Sequence, residues 1–396
     1  MTIAIIITLC LLLLIAYIFD LTATKTKIPS VILLLFLGWI MKQTTTFFQI
    51  QLPDFSEILP VLGTIGLVLI VLEGSLDLEF NASKFTLIKK SIIGAVLPML
   101  ALAFLFGFLF NYYGHFGLKD SLTNAIPFCI ISSAIAIPSV RSLSSLQKEF
   151  VIYESSLSDI FGVILFNFLA LNEVINATAF GEFGLQLLII TLVSFIATIS
   201  LSYLLNKIDH HIKFVPIILI IILIYETSKI YHLPGLVFIL LFGIFIGNLD
   251  ELKHFKWIQK FKPEELNKEV LKFKELTSEG AFIIRALFFL LFGFLIETAE
   301  VVNIETLPWA ILIVCSIFIF RFIQLKLSKL PLSPLLFVAP RGLITILLFI
   351  SIDPSDAISL VNKSLIIQII LLTAFAMMLG LMTKGKEKQE IPEAIK

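Results

Sequence analysis

The chain alternates between long apolar blocks and short polar connections. A block of about 20 apolar residues is long enough to cross a bilayer as a helix. Candidate spans fall at about 2–20, 28–42, 58–75, 91–113, 124–146, 149–171, 184–206, 214–231, 233–248, 278–297, 307–325, 332–352 and 362–383, with the second and ninth short. The pattern predicts an all-α polytopic membrane protein of about thirteen transmembrane helices.

The connections test this map, because Lys and Arg accumulate on the cytoplasmic side of a membrane. With the N-terminus outside, 23 of the 29 Lys and Arg fall in inside connections, towards the inside ends of spans, or in the C-terminal tail. Only Lys42, Lys119, Lys229 and Lys363 fall outside, and Arg285 and Arg341 lie within spans. One missed or extra span would scramble this asymmetry, so the map predicts N-out and C-in. The segment 249–277 mixes Lys and Glu with Leu252, Phe255, Trp257, Ile258 and Phe261. It suits either an amphipathic helix on the cytoplasmic leaflet or a solvated connector. Residues 1–385 read as one transmembrane domain and 386–396 as a polar cytoplasmic tail.

Composition agrees. Hydrophobic residues make up 58% of the 396 and charged residues 15%, against about 25% charged in soluble domains. Mean hydropathy is +1.03. The net charge is zero, which gives no electrostatic case for a nucleic-acid partner. The N-terminal block has no preceding Lys or Arg and no small-residue cleavage site after it, so it reads as the first span and not as a signal peptide. Cys10, Cys129 and Cys315 sit singly in apolar runs, without metal-ligand spacing. The sequons at Asn81 and Asn176 read as chance. No phosphate-binding loop, zinc-spaced His pair or nucleophile elbow is present, so no enzyme and no organic cofactor is implied. His210-His211 reads as a solvated pair.

An ionisable residue inside a span is costly and marks function by default. Asp159 lies about ten residues into its span, ~15 Å deep at about 1.5 Å per residue, near the bilayer midplane. It ends the run Glu154-Ser155-Ser156-Leu157-Ser158-Asp159. Ser155 and Asp159 share a helix face, as do Glu154 and Ser158. These oxygens suit a hard monovalent cation, and a carboxylate there can take either a cation or a proton. The alternative is a structural aspartate bonded within the bundle.

Two spans carry a central proline, which breaks a helix: Pro138 in the fifth, and Pro340 with Gly342 in the twelfth. Interrupted helices at matching places in two halves point to a transporter's midplane site, although proline kinks are also common in membranes. Arg341 at the second break needs a counter-charge, and Glu154 is the expected partner. Arg285 either pairs with an acid or reaches the cytoplasmic surface. Glu73, Glu226 and Glu279 read as interfacial.

These residues resemble the monovalent cation:proton antiporters, the sodium/proton exchanger-like family, over nearly the whole chain. Ile28-Pro29 to Leu37-Gly38, Gly63-Thr64-Ile65-Gly66 through Leu76, Tyr225-Glu226 through Gly247-Asn248, and Phe288-Phe289 with Phe292-Gly293 are similar to its helices in that order. The run from Glu154 to Asp159 is similar to its Glu-Ser-x-x-Asn-Asp signature, and Pro340-Arg341-Gly342 to its x-Arg-Gly motif.

The resemblance implies two inverted repeats, with a core of about 91–171 and 307–383 moving against a scaffold, and a homodimer. It implies that Asp159, with Ser155, binds the cation and the proton, and that Arg341 pairs with Glu154. Ser158 replaces the signature's asparagine, and Ala136-Ile137-Pro138 stands where the family reads Thr-Asp-Pro. The expected function is exchange of Na⁺ (possible substrates include Li⁺ and K⁺) for H⁺ by alternating access in a plasma membrane, as in a bacterial inner membrane. With Asp159 the sole carboxylate at the crossing, one-for-one electroneutral exchange is expected. The alternatives are K⁺/H⁺ exchange, a channel-like cation path, or a non-transporting sensor or assembly protein that keeps the fold.

Overall fold

The structure, a computed structural model, describes residues 2–383 apart from 51–53, 56, 80–81, 174–175, 209, 211 and 253–262. His211 and the tail from 384 onwards therefore lie outside the described residues. Those described form helices and connections with no strand. This is what a bilayer demands, since a helix satisfies its own backbone polar groups where no water can.

The helices are α1 (Thr2–Thr26), α2 (Ser30–Phe47), α3 (Ile58–Leu76), α4 (Phe85–Gly114), α5 (Leu118–Ala125), α6 (Ser133–Ser139), α7 (Ser145–Leu171) and α8 (Ala177–Lys207). They continue with α9 (Phe214–Ile230), α10 (Gly235–Gly247), α11 (Leu249–Leu252), α12 (Pro263–Phe294), α13 (Thr298–Val301), α14 (Leu307–Leu327), α15 (Leu343–Ile350) and α16 (Lys363–Met382). Ten membrane-length apolar helical segments occur among the described residues, one of them the broken stretch 118–139, and Gly235–Gly247 is a shorter apolar helix. Helix α9 and the interrupted stretch around α15 complete the thirteen spans read from the sequence.

Polar residues set the ends. Asn176 and Asn362 cap α8 and α16 by accepting from Ala179 N at 2.8 Å and Leu365 N at 3.0 Å, which satisfies donors that no helical turn can reach. Glu297 and Glu300 form a capping box at α13. His115, at φ 56°, turns the chain off α4.

Packing sorts the helices. In one group α12 lies against α2 and α3, and α10 against α3 and α8. In the other, α4 packs on α5 and α7, and α14 on α4 and α16. The first group closes by backbone approach. A Cβ on Gly293 would strike Leu35, and one on Gly38 would strike Leu290 and Phe294, so α2 and α12 can meet only through these glycines. The two groups touch where α7 and α15 lean on α3. Outward-facing Leu188, Leu192, Phe195 and Ile196 of α8 are more than half exposed in the isolated chain; in a membrane such side chains face lipid.

Two expectations shift. The segment from 263 is not a separate surface helix: α12 runs unbroken from Pro263 into the tenth span. Val270 and Phe273 are buried, Lys213 holds Glu269 at 2.6 Å, and Asn267 donates to Asp250 at 2.5 Å. These contacts tie the polar turns back to the bundle. The fifth span also begins earlier than 124, with Lys119 and Asp120 inside α5. Lys119 can sit in a helix end because Asp356 neutralises it at 2.9 Å.

Candidate functional site

Helix α7 carries the acidic run into the interior. Glu154, Ser155, Ser156, Ser158 and Asp159 are all at most 3% exposed. Two breaks meet this helix. After α5 a 3-10 turn at Ile126–Phe128 leads through Cys129–Ser132 to α6. After α14 a 3-10 turn at Leu335–Phe337 leads through Val338–Gly342 to α15. The breaks cross, and Ser132 N donates to Pro340 O at 2.9 Å.

The first break is not where the sequence reading put it. Pro138 lies inside α6 near its end, and the interruption comes at Cys129–Ser132. Because the span starts earlier than its apolar run, its middle moves towards the N-terminus. Pro340 and Gly342 do lie in the second break. A Cβ on Gly342 would meet Ile135 Cδ1 at 2.6 Å and Ser132 Oγ at 3.0 Å, so glycine lets the two crossing strands close up.

The crossing carries hydroxyls even though Ala136-Ile137-Pro138 lacks the threonine of the family's Thr-Asp-Pro. Ser133 donates to Asp159 Oδ2 twice, from its backbone N at 3.2 Å and from its hydroxyl through a short bond. Ser158 Oγ accepts from Ile131 N at 3.0 Å, which pins α7 to the break. Ser155 donates to Val151 O at 2.7 Å, leaving its oxygen lone pairs free. Asp159 Oδ1 is buried with no partner. Ser132 and Ser133 were missed by sequence reasoning; the Ser132-Ser133 pair in an apolar run was the available signal.

The expected ion pair is also different. Glu154 binds Arg321 of α14, not Arg341, with Nη1 to Oε1 at 2.5 Å and the side chains 3% and 1% exposed. Arg321 also donates from Nε to Leu335 O at 3.1 Å and lies over the Phe150 ring at 5.9 Å. Helix α14 carries it within the span. Arg341 instead donates from Nε to Phe128 O at 2.6 Å and from Nη1 to Ala339 O at 2.8 Å. A broken helix leaves carbonyls without helical donors, and this guanidinium serves one from each break.

Gln324, buried beside this pair, and Gly94 of α4 complete the cluster. A Cβ at Gly94 would lie 2.6 Å from Gln324 Nε2 and 2.7 Å from Glu154 Oε1. A cavity of about 20 Å³ runs between Arg321, Arg341, Ser158 and Cys129, room for about one water. Arg285 stands apart from the crossing, with its Nη1 4.0 Å from Glu73 Oε2 of α3. Lys274 holds Asp77 nearby at 2.5 Å.

Two broken helices thus cross beside a buried carboxylate. Residues 10–385 match the model of the family described as sodium/hydrogen exchanger, transmembrane. The chain belongs to that family. It is thus a multi-pass membrane protein of an exchanger family, not of an enzyme family. Among solved structures it is similar to the sodium proton antiporter MjNhaP1 from Methanocaldococcus jannaschii at pH 8. Their TM-score is 0.70 at 19% identity, over 96% of this chain and 99% of that one. An electron-microscopy structure of the same antiporter gives a TM-score of 0.68 at 19% identity, over 98% and 99%. No curated protein sequence matches. The likeness establishes the fold of this exchanger: all-α, with two inverted repeats and interrupted fifth and twelfth spans.

Proposed function

We propose that this exchanger carries one monovalent cation, Na⁺ first among them, against one H⁺ by alternating access. The observation that supports the reading most is Asp159. Its carboxylate is buried at the crossing of the two breaks, with Oδ2 held by Ser133 and Oδ1 unpartnered. A buried acceptor without a partner is costly, and a cation or a proton on Oδ1 removes that cost. The two compete for one carboxylate, so the site releases one when it takes the other. Ser155, on the same face of α7, adds a neutral oxygen.

The charge of the loaded site is the same with Na⁺ or with H⁺ on Asp159, which supports electroneutral exchange. Glu154 has its own counter-charge in Arg321. In this reading α4–α7 and α14–α16 form the moving core, and the remaining helices form the scaffold and carry a homodimer contact. The N-terminus faces outside and the C-terminus the cytoplasm of a plasma membrane.

Proteoliposomes with an imposed pH gradient test this, with Na⁺, Li⁺ and K⁺ added in turn. Dissipation by Na⁺ that is unchanged when the membrane potential is clamped supports the full reading. Response to K⁺ alone makes the protein a K⁺ exchanger, and potential-dependent rates rule out one-for-one exchange.

A further inference from the structure

Thr345 is the one polar residue of α15, among Leu343, Ile344, Ile346, Leu347, Leu348, Phe349 and Ile350. It is 1% exposed, and its Oγ1 has no hydrogen-bond partner. Hydroxyls within helices usually bond the carbonyl four residues back, and others here do so: Thr373 to Ile369 O at 2.8 Å, Thr277 to Phe273 O at 2.8 Å, and Ser351 to Leu347 O at 2.8 Å. For Thr345 that carbonyl belongs to Arg341, which precedes the helix across the extended Gly342 (φ −173°). The break therefore frees this hydroxyl.

Its direction follows from its neighbours. Leu347 and Leu343 face α3, where they stand against the Cβ positions of Gly63 and Gly66. Thr345 is two residues from each, about 200° around the helix at about 100° per residue, so it faces away from α3. Besides α3, α15 packs on the Ile126–Phe128 turn and α7. The same region holds two more buried oxygens without partners, Asp159 Oδ1 and Ser132 Oγ. Ser132 lies beside Gly342, three residues before Thr345.

We propose that Thr345 supplies a hydroxyl ligand to the transported cation, with Ser132 opposite it, so that one carboxylate and neutral oxygens select a small monovalent ion. This rests on the exchange reading above and identifies the ligand that replaces a second carboxylate. The hydroxyl takes the place of a water in the ion's shell, so removing it weakens cation binding and leaves proton binding by Asp159 in place.

The test uses the full-length protein in proteoliposomes and compares wild type with Thr345→Val, which keeps the shape, and Thr345→Ser, which keeps the hydroxyl. Thr345→Val is expected to raise the apparent KM for Na⁺ about tenfold, with Thr345→Ser within about twofold of wild type. Thermal stabilisation of the purified protein by Na⁺ gives a second readout, and Thr345→Ala and Ser132→Ala serve if the valine variant does not fold. Wild-type KM and Na⁺ stabilisation in hydroxyl-lacking variants, with Asp159→Asn inactive, overturn the Thr345 assignment alone. A folded wild type that moves no cation overturns the exchange reading as well.

Discussion

Arg321 Nη1 lies 2.5 Å from Glu154 Oε1 in a region where both side chains are almost fully excluded from solvent. The pair joins α14 to α7 inside the core, so the two repeats are tied by a charge contact a few residues from Asp159. A buried pair of this kind adds little net stability when intact, but losing one partner leaves a bare charge.

Arg321→Gln and Glu154→Gln should each cost about 3–5 kcal/mol of stability. The double variant should cost clearly less than the sum of the two. Thermal unfolding in detergent measures all three. Strict additivity would mean that the two groups do not interact.

Gly94→Ala should destabilise by about 1–3 kcal/mol, because the new methyl would press on both Gln324 and Glu154. Gly181, whose Cβ position meets nothing within 4 Å, is the matched control. Equal melting temperatures for Gly94→Ala and Gly181→Ala would contradict the packing described.

Arg341→Lys should not be conservative. A lysine lacks the planar fork that reaches the carbonyls of Phe128 and Ala339 together. Each orphaned carbonyl costs about 1–3 kcal/mol. The lysine variant should therefore melt well below wild type. An unchanged melting temperature would show that the guanidinium does not hold the breaks.

Lys84 links the α3–α4 connection to the core, reaching Glu79 at 2.5 Å and Glu149 of α7 at 3.3 Å. The hydrogen bond from Lys84 holds the Glu79 carboxyl below its usual 4.5. The same bond holds the Lys84 ammonium above its usual 10.5. The Glu79 contribution is present above pH 4.5 and is lost as pH falls through the lower folded value. The Lys84 contribution is complete below pH 10.5 and is lost only as pH rises past the raised folded value. The pair is solvent-accessible, so its worth is about 0–1 kcal/mol. The melting-temperature gap between wild type and Lys84→Met should narrow as pH drops below 4.5, whereas a gap constant across pH 7 to 3 would contradict the link.

Much of the fold was legible because a membrane leaves its mark on composition. Apolar blocks and the Lys and Arg of the connections marked thirteen spans, and the run from Glu154 to Asp159 announced itself by cost alone. The misplaced details share one cause, which is that hydropathy sees a residue but not its partner. Lys119 looked like a loop residue because Asp356 is far away in the sequence. Arg321 lies near the inside end of an apolar block, so the sequence offers Arg341 as the more obvious partner for Glu154, whereas the fold supplies Arg321. Pro138 was a visible helix breaker, but a proline near a helix end breaks nothing, and the true interruption at Cys129–Ser132 carries no proline. Ser133 reads as an ordinary small residue until the crossing brings it to Asp159.

The measurement that tests the central claim most directly is Na⁺-driven proton movement in proteoliposomes, with wild type compared with Asp159→Asn at matched, verified reconstitution. The account predicts that Na⁺ collapses the pH gradient with wild type and leaves it unchanged with Asp159→Asn, while both proteins stay folded. Exchange that persists at wild-type rate in Asp159→Asn would contradict it.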